Sequence, residues 1–306
     1  MKQKTSQKQP LKNLKNKIQI LIIGGGRIGQ KLNEVLEKHK PVIWDIDPEK
    51  STSTKSLEEE IKNADIIFIC TPAIAFEELI YKIKNNNKEN SIVISLSKGV
   101  SSKGEFTARI MEKNLLKNNY GIMAGPIMAE EIEKNKPAVA HLALKNNSDF
   151  IKIKKLFENS TLRIINYPRV VDLAIAGALK NLYALFLGII DGLNLGENAK
   201  AYFFTKSLRE MKIIAKKFKA KINIIDSISG CGDLILTAYS KFSNNRLQGE
   251  RIAKGLSILP CEAIHTIESL SPRIKNLEKL PIFSALKEII IKKKNANDIV
   301  KNILPN

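Results

Sequence analysis

Lys180 is the only charged residue between Asp172 and Asp191, set in a run from Leu173 to Ile190 that is otherwise apolar apart from Asn181 and the mildly polar Tyr183. A lysine in such a run must snorkel to water, pair with an acid, or lose its proton more readily than usual. In the last case its amine donates and accepts protons near neutral pH, the chemistry of a general acid/base. A purely structural buried ion pair is the alternative. A carboxylate for either role stands in Gly230-Cys231-Gly232-Asp233, a tight turn feeding an apolar helix. Asp233 either holds Lys180 and supports its cationic form, or is a plain helix-start acid favoured by the dipole.

Other polar groups close β-rich runs. Ser97-Lys98-Gly99 follows one of them. In an open parallel sheet the carboxyl ends of the strands face the ligand crevice, which would put Lys98 against an anionic or carbonyl oxygen. Gly125-Pro126 ends the next run and offers backbone N–H groups nearby. Ser243-Asn244-Asn245-Arg246 with Gly249 is a polar cluster, and Arg246 has the fork geometry for a phosphate. An inter-helix turn is the plainer reading of that cluster.

A cofactor motif lies near the start. Gly24, Gly26 and Gly29 form GxGxxG directly after a strand and at the opening of a helix. The first glycine allows the tight turn. The second lets the backbone approach a pyrophosphate. The third lets the helix sit close on the strand, with its N-terminus facing the anion. The next strand ends in Trp44-Asp45-Ile46-Asp47. Asp45 sits where an acid accepts from a ribose 2′-hydroxyl, and it would repel a 2′-phosphate, so NAD is favoured over NADP. Arg27 pulls the other way, since it can pair with a phosphate, and Asp45 can also start a turn with Pro48.

These residues need a frame. Ile18–Ile23, Pro41–Trp44, Ile66–Cys70 and Ile92–Leu96 read as strands separated by polar helical segments, including a helix from Gly26 to about Lys38. The alternation implies a doubly wound, mostly parallel sheet of Rossmann type, an α/β fold. Gly121–Ala124 and Ala138–Leu144 are expected as further, edge strands, and Lys82–Lys88 as a polar loop. Beyond Pro168 the pattern is helical almost to the end. The expected division is a basic, disordered tail over 1–17, a dinucleotide-binding domain over 18–167, and a mostly α-helical substrate domain over 168–306.

Composition narrows the class. At 306 residues the chain holds about two domains, and 43% hydrophobic with 26% charged residues is ordinary for globular proteins. A net charge of +19 suits an anionic ligand, but the lysines spread along the whole chain rather than onto one element. No RNA- or DNA-binding motif is visible, so nucleic acid is not an expected partner. The apolar run around Lys180 is at the lower edge of a membrane span, and a central lysine costs roughly 2.5–3.5 kcal/mol there. Gly177, Asn181, Ala184 and Gly188 also mark one face with small residues, which allows close packing by another helix. A buried helix is therefore expected, without stable membrane insertion. Three distant cysteines (Cys70, Cys231, Cys261) and three scattered histidines give no metal spacing. The sparse cysteines, and residues 1–17 without an apolar core, point to the cytoplasm.

Together these features resemble the soluble, bacterial-type NAD(P)-dependent glycerol-3-phosphate dehydrogenase family. The matching stretches are GGGRIG (24–29), SKG (97–99), GPIMAEE (125–131), GALKN (177–181), SGCGDLILT (229–237) and SNNRLQG (243–249), in family order. Asn194, Thr205, Leu208, Glu210-Met211, Glu262 and Pro281-Ile282 fit as well. The resemblance implies a Rossmann-type domain, a helical substrate domain, a homodimer, and reversible hydride transfer between NAD(P)H and dihydroxyacetone phosphate. It makes Lys180 the general acid/base, Asp233 its orienting partner and Lys98 the stabiliser of the carbonyl oxygen. It places Gly125, Asn181, Ser243 and Asn245 at the substrate. It places Gly24, Gly26, Arg27, Ile28, Gly29, Asp45, Lys98, Ala129, Asn244 and Glu262 at the cofactor, with Glu262 near the nicotinamide.

Four positions depart from the family pattern. The first arginine of its Ser-Arg-Asn-Arg phosphate clamp is Asn244, and the serine of its Gly-Pro-Ser is Ile127. The tryptophan of its glycine loop is Ile28, and the NADP-type arginine of the second strand is Ile46. Losing a bidentate Arg–phosphate contact costs roughly 1.5–3 kcal/mol or more. The alternatives are thus a related NAD-dependent dehydrogenase with another substrate, or a catalytically impaired NAD-binding regulatory protein.

Overall fold

The computed structural model describes residues 18–305; the tail expected over 1–17 lies outside the described residues. Among the described residues seven strands form one sheet: β1 (Ile20–Ile23), β2 (Val42–Trp44), β3 (Ile66–Ile69), β4 (Ile92–Ser95), β5 (Asn119–Ala124), β6 (Ala138–Leu144) and β7 (Leu162–Asn166), in the order β2-β1-β3-β4-β5-β6-β7. The pairs from β2 to β5 are parallel, β6 runs antiparallel to β5, and β7 is parallel to β6. Helices α1 (Arg27–Val35), α2 (Leu57–Asn63), α3 (Phe76–Asn86), α4 (Thr107–Asn114), α5 (Ala129–Ile132) and α6 (Phe150–Leu156) punctuate this half. The rest is helical among the described residues: α7 (Val170–Gly192), α8 (Gly196–Lys217), α9 (Asp233–Tyr239), α10 (Asn244–Ala253), α11 (Glu262–Leu270), α12 (Pro281–Ile290) and α13 (Ala296–Lys301).

The β-branched runs explain the sheet. Every residue of β1, β3 and β4 is buried, as expected for parallel strands covered on both faces. Side chains alternate between two cores. Ile20, Ile22, Phe68 and Ile94 enter one, while Leu21, Ile23, Ile69 and Val93 enter the other, which is continuous with α7. The sheet is thereby fastened to the helical half, with α7 packed against β5 and β6.

Three expectations change. β5 and β6 are interior strands, and the edges are β2 and β7. The sequence reading passed over β7, whose alternation is only five residues long and carries Arg163. Lys82–Asn86 continue α3 rather than forming a loop, because Leu79, Ile80 and Ile83 bury one helical face while the lysines and asparagines take the other.

α7 is long and apolar enough to cross a membrane, but its apolar window is wholly buried within the molecule. The small residues on it are used as spacers. A Cβ on Gly188 would lie 2.1 Å from the Arg246 carbonyl oxygen, and one on Gly249 of α10 would lie 2.1 Å from that of Leu185. Backbone contact between α7 and α10 requires glycine at both places. A further clamp comes from Glu210 on α8, which accepts from the N–H groups of Ile282 (2.7 Å) and Phe283 (2.9 Å) at the start of α12 and from the Tyr183 hydroxyl of α7 (3.0 Å). Burial pushes that carboxyl up to about 7 against those three donors.

Gly188→Ala is expected to lower unfolding stability by about 1–3 kcal/mol through overpacking of the α7–α10 contact. Urea unfolding followed by circular dichroism measures it; an unchanged midpoint would show that the two helices yield freely.

Candidate active site

The glycine turn after β1 is shaped by contacts below it and open space above it. Gly24 has φ +106, and a Cβ there would lie 2.9 Å from the Cys70 carbonyl carbon. A Cβ on Gly29 would fall 1.9 Å from the Gly24 carbonyl oxygen, so α1 seats directly on the turn. Gly26 is different: its Cβ position has nothing within 4 Å, and the residue borders a cavity of about 710 Å³. Gly24, Arg27, Ile28, Asp45, Lys98, Ala129 and Glu262 also line that cavity. Asp45 closes the turn from the side: one carboxylate oxygen accepts from Gly25 N–H at 2.6 Å and the other from Asp47 N–H at 2.9 Å. Asp45 thus opens a turn, and it also borders the cavity. Arg27 pairs with Glu130 at 2.5 Å across the mouth.

A dinucleotide fits these residues. The open cradle at Gly26, the N-terminus of α1 and a cavity lined by residues from β2 to Lys98 are what a pyrophosphate and its two nucleosides need.

Ionised groups converge at the far end. Asp233 is the first residue of α9, aimed by one turn of π-helix over Ile228–Gly232. It is buried, and it takes two ammonium groups at once. Lys98 Nζ lies 2.7 Å from Oδ2, and Lys180 Nζ lies 3.1 Å from Oδ1. Lys180 also donates to Thr237 Oγ1 at 2.7 Å, and that hydroxyl donates to the Asp233 carbonyl at 2.6 Å. Lys98 donates in addition to the Gly125 carbonyl at 3.3 Å. The neighbouring Asn181 donates to Glu262 at 2.7 Å, and Asn245 accepts from Ala263 N–H at 3.2 Å.

Burial and charge act on these groups in opposite directions. Burial lowers the Lys180 ammonium, Asp233 opposes, Lys98 adds repulsion, and the result is about 8. Burial alone would raise Asp233, but Lys180 and then Lys98 outweigh it and hold the carboxyl below the usual range. Glu262 is pushed up by burial to about 6 despite Lys180 and Lys98. The lysine singled out in the sequence is thus a buried amine held by an acid and a hydroxyl and lowered to about 8.

Two models of one family match the sequence. The one described as the NAD-dependent glycerol-3-phosphate dehydrogenase C-terminus matches residues 170–301, and its N-terminal counterpart matches 48–150, together more than half of the chain. The chain belongs to the NAD-dependent glycerol-3-phosphate dehydrogenase family. It is an oxidoreductase whose family cofactor is NAD or NADP. Similar curated proteins are the glycerol-3-phosphate dehydrogenase [NAD(P)+] of Fusobacterium nucleatum, 27% identical over 94% of this chain and 96% of that one, and the protein of that name from Clostridium tetani, 29% identical over 88% and 83%. The fold matches the crystal structure of glycerol-3-phosphate dehydrogenase from Coxiella burnetii with a TM-score of 0.87 at 22% identity, covering 95% of this chain and 99% of that one.

Not every family position converges on this dehydrogenase's cavity. Ser243 caps α10 by accepting from Arg246 N–H, and Asn244 is exposed and accepts from Gln248 of its own helix at 3.3 Å. Neither lines the cavity. Arg246, whose fork suits phosphate, is committed to Asp191 at 2.7 Å and Glu250 at 2.6 Å. Sequence reasoning missed Thr237, although its spacing of four from Asp233 on one helix puts both on the same face. It also missed Thr71, whose buried hydroxyl has no hydrogen-bond partner among the described residues and whose residue lines the cavity.

Gly26→Ala tests the cradle. Gly26 has φ −70 and open space at its Cβ position, so folding should be unaffected. NADH affinity, read by fluorescence titration, should fall about tenfold or more through steric crowding. Unchanged affinity would place the dinucleotide elsewhere.

Proposed function

We propose that this chain catalyses reversible reduction of dihydroxyacetone phosphate to sn-glycerol 3-phosphate, with Lys180 moving the proton. The observation carrying this reading is the buried Lys180 amine, held by Asp233 and Thr237 and lowered to about 8, with Asp233 also bound by Lys98, which lines the cavity at the glycine turn. When bound, the nicotinamide cofactor gives hydride to the substrate carbonyl carbon or takes it back. Lys180 delivers a proton to the carbonyl oxygen as charge develops there and recovers it in reverse. Lys98 stabilises the same oxygen by its charge. Asp233 and Thr237 keep the Lys180 amine aimed. Gly125, Asn181 and Asn245 contact substrate, Ser243 fixes the start of α10 that carries Asn245, and Glu262, fastened by Asn181, borders the nicotinamide. Asp45 selects NAD over NADP by repelling a 2′-phosphate.

In this reading residues 18–167 hold the cofactor and 168–306 the substrate. The protein works in the cytoplasm as a homodimer, supported by the three free cysteines and by the family resemblance respectively. One observation favours a second reading, a sister dehydrogenase acting on another small ketone: Asn244 stands at the clamp position, and Arg246 is engaged with acids instead of replacing it.

NADH and NADPH oxidation with dihydroxyacetone phosphate, run in parallel, decides between them. The first reading expects turnover that favours NADH and is lost in Lys180→Ala. It also expects a gain in kcat/KM of about tenfold in Asn244→Arg, one restored charge-assisted contact. Ketone reduction needs the protonated amine, so its rate should fall as pH rises through about 8, while alcohol oxidation should rise over the same window. Equal rates in wild type and Lys180→Ala would reject the assignment, and turnover confined to unphosphorylated ketones would favour the second reading.

A further inference from the structure

A second cavity, of about 870 Å³, shares no lining residue with the first. It is framed by α4 and the residues leading into it, the start of α7, the end of α8, and Arg273 beyond α11. Six cations line it, Arg109, Lys113, Arg169, Lys217, Lys219 and Arg273, against the two carboxylates Glu105 and Glu112.

Both carboxylates are already spent. Glu112 pairs with Arg109, and Glu105 pairs with Lys113 at 2.5 Å. Arg169 faces Asp172 at 3.5 Å. Lys217, Lys219 and Arg273 have no ion-pair partner among the described residues. The carbonyl end of α8 attracts Lys217. That dipole does not account for Arg273, which arrives from a different element and whose guanidinium sits 5.4 Å over the Phe218 ring while donating to the Gly104 carbonyl. Like charges gathered around a concavity repel one another, and a bound polyanion relieves that repulsion. The floor is apolar: Phe106 and Phe218 meet edge to face at 5.0 Å, with Val171 and Ile175 beside them. A volume of this size is in the range of organic ligand sites.

We propose that this cavity binds an oligophosphate, with Lys217, Lys219 and Arg273 holding the phosphates. The apolar floor accepts the organic part when the phosphates are carried on a nucleoside. The site is independent of the dehydrogenase chemistry, but it borders the elements that bear the reacting lysines, since α7 carries Lys180 and the segment leading into α4 follows Lys98.

The test is calorimetric titration of the full chain, with NADH saturating so that the glycine-turn cavity is filled, using ATP, inorganic tripolyphosphate and inorganic phosphate as probes. ATP or tripolyphosphate should bind once per chain beside NADH, and inorganic phosphate far more weakly. Tighter ATP identifies a nucleotide source; equal affinities identify an inorganic one. The Lys217→Gln/Lys219→Asn double variant should weaken the oligophosphate about tenfold or more. Asn tolerates the left-handed backbone of residue 219 (φ 64), so NADH affinity and the melting midpoint should hold. Three results would overturn the proposal: no binding in the presence of NADH, displacement of the probe by NADH, or binding undiminished in the double variant.

Discussion

Asp233 shares one buried carboxylate between two ammonium groups that arrive from opposite halves of the molecule. Lys98 comes from the carboxyl end of a sheet strand and Lys180 from the middle of a buried helix. Two cations this close repel one another, and burying Lys180 is costly; one anion between them makes the arrangement tolerable without neutralising it fully. Burial, with added repulsion from Lys98, lowers Lys180 to about 8 against the pull of Asp233, while the two cations hold the Asp233 carboxyl below its usual range. Removing the acid would leave two uncompensated charges, so the position, the protonation state and the chemistry of Lys180 depend on the same contact.

The rest of the fold serves to bring those three side chains together. Parallel strands buried on both faces end at one rim, and α7 is sunk into the second core, so its lysine meets the rim from below. Close contact at Gly188 and Gly249 fixes α10 against α7, and Asn245 on α10 in turn holds the start of α11, where Glu262 sits. The π-turn before α9 sets the angle at which Asp233 enters.

Much of this was legible in the sequence because it is written in short-range patterns. GxGxxG after an apolar run, one lysine in eighteen otherwise uncharged residues, and an acid behind a glycine turn are local signals; the structure pairs the lysine with the acid, and Lys98 links that pair to the cavity the glycines border. What escaped depends on distant partners. The antiparallel insertion of β6 and the short strand β7 follow from pairing, not periodicity. Arg246 looks like a phosphate ligand until Asp191, some fifty residues away in the chain, is seen to occupy it. Thr237 had the spacing to be noticed, but its value lies in a contact with Lys180 across two helices.

The most direct measurement is the titration of Lys180 itself, by NMR of the chain carrying isotope-labelled lysine side chains, in wild type and Asp233→Asn. The account predicts an amine titrating near 8 in wild type and lower still in the variant, where the largest opposing charge is gone. An amine titrating at its ordinary 10.5, or one that does not move when Asp233 loses its charge, would contradict it.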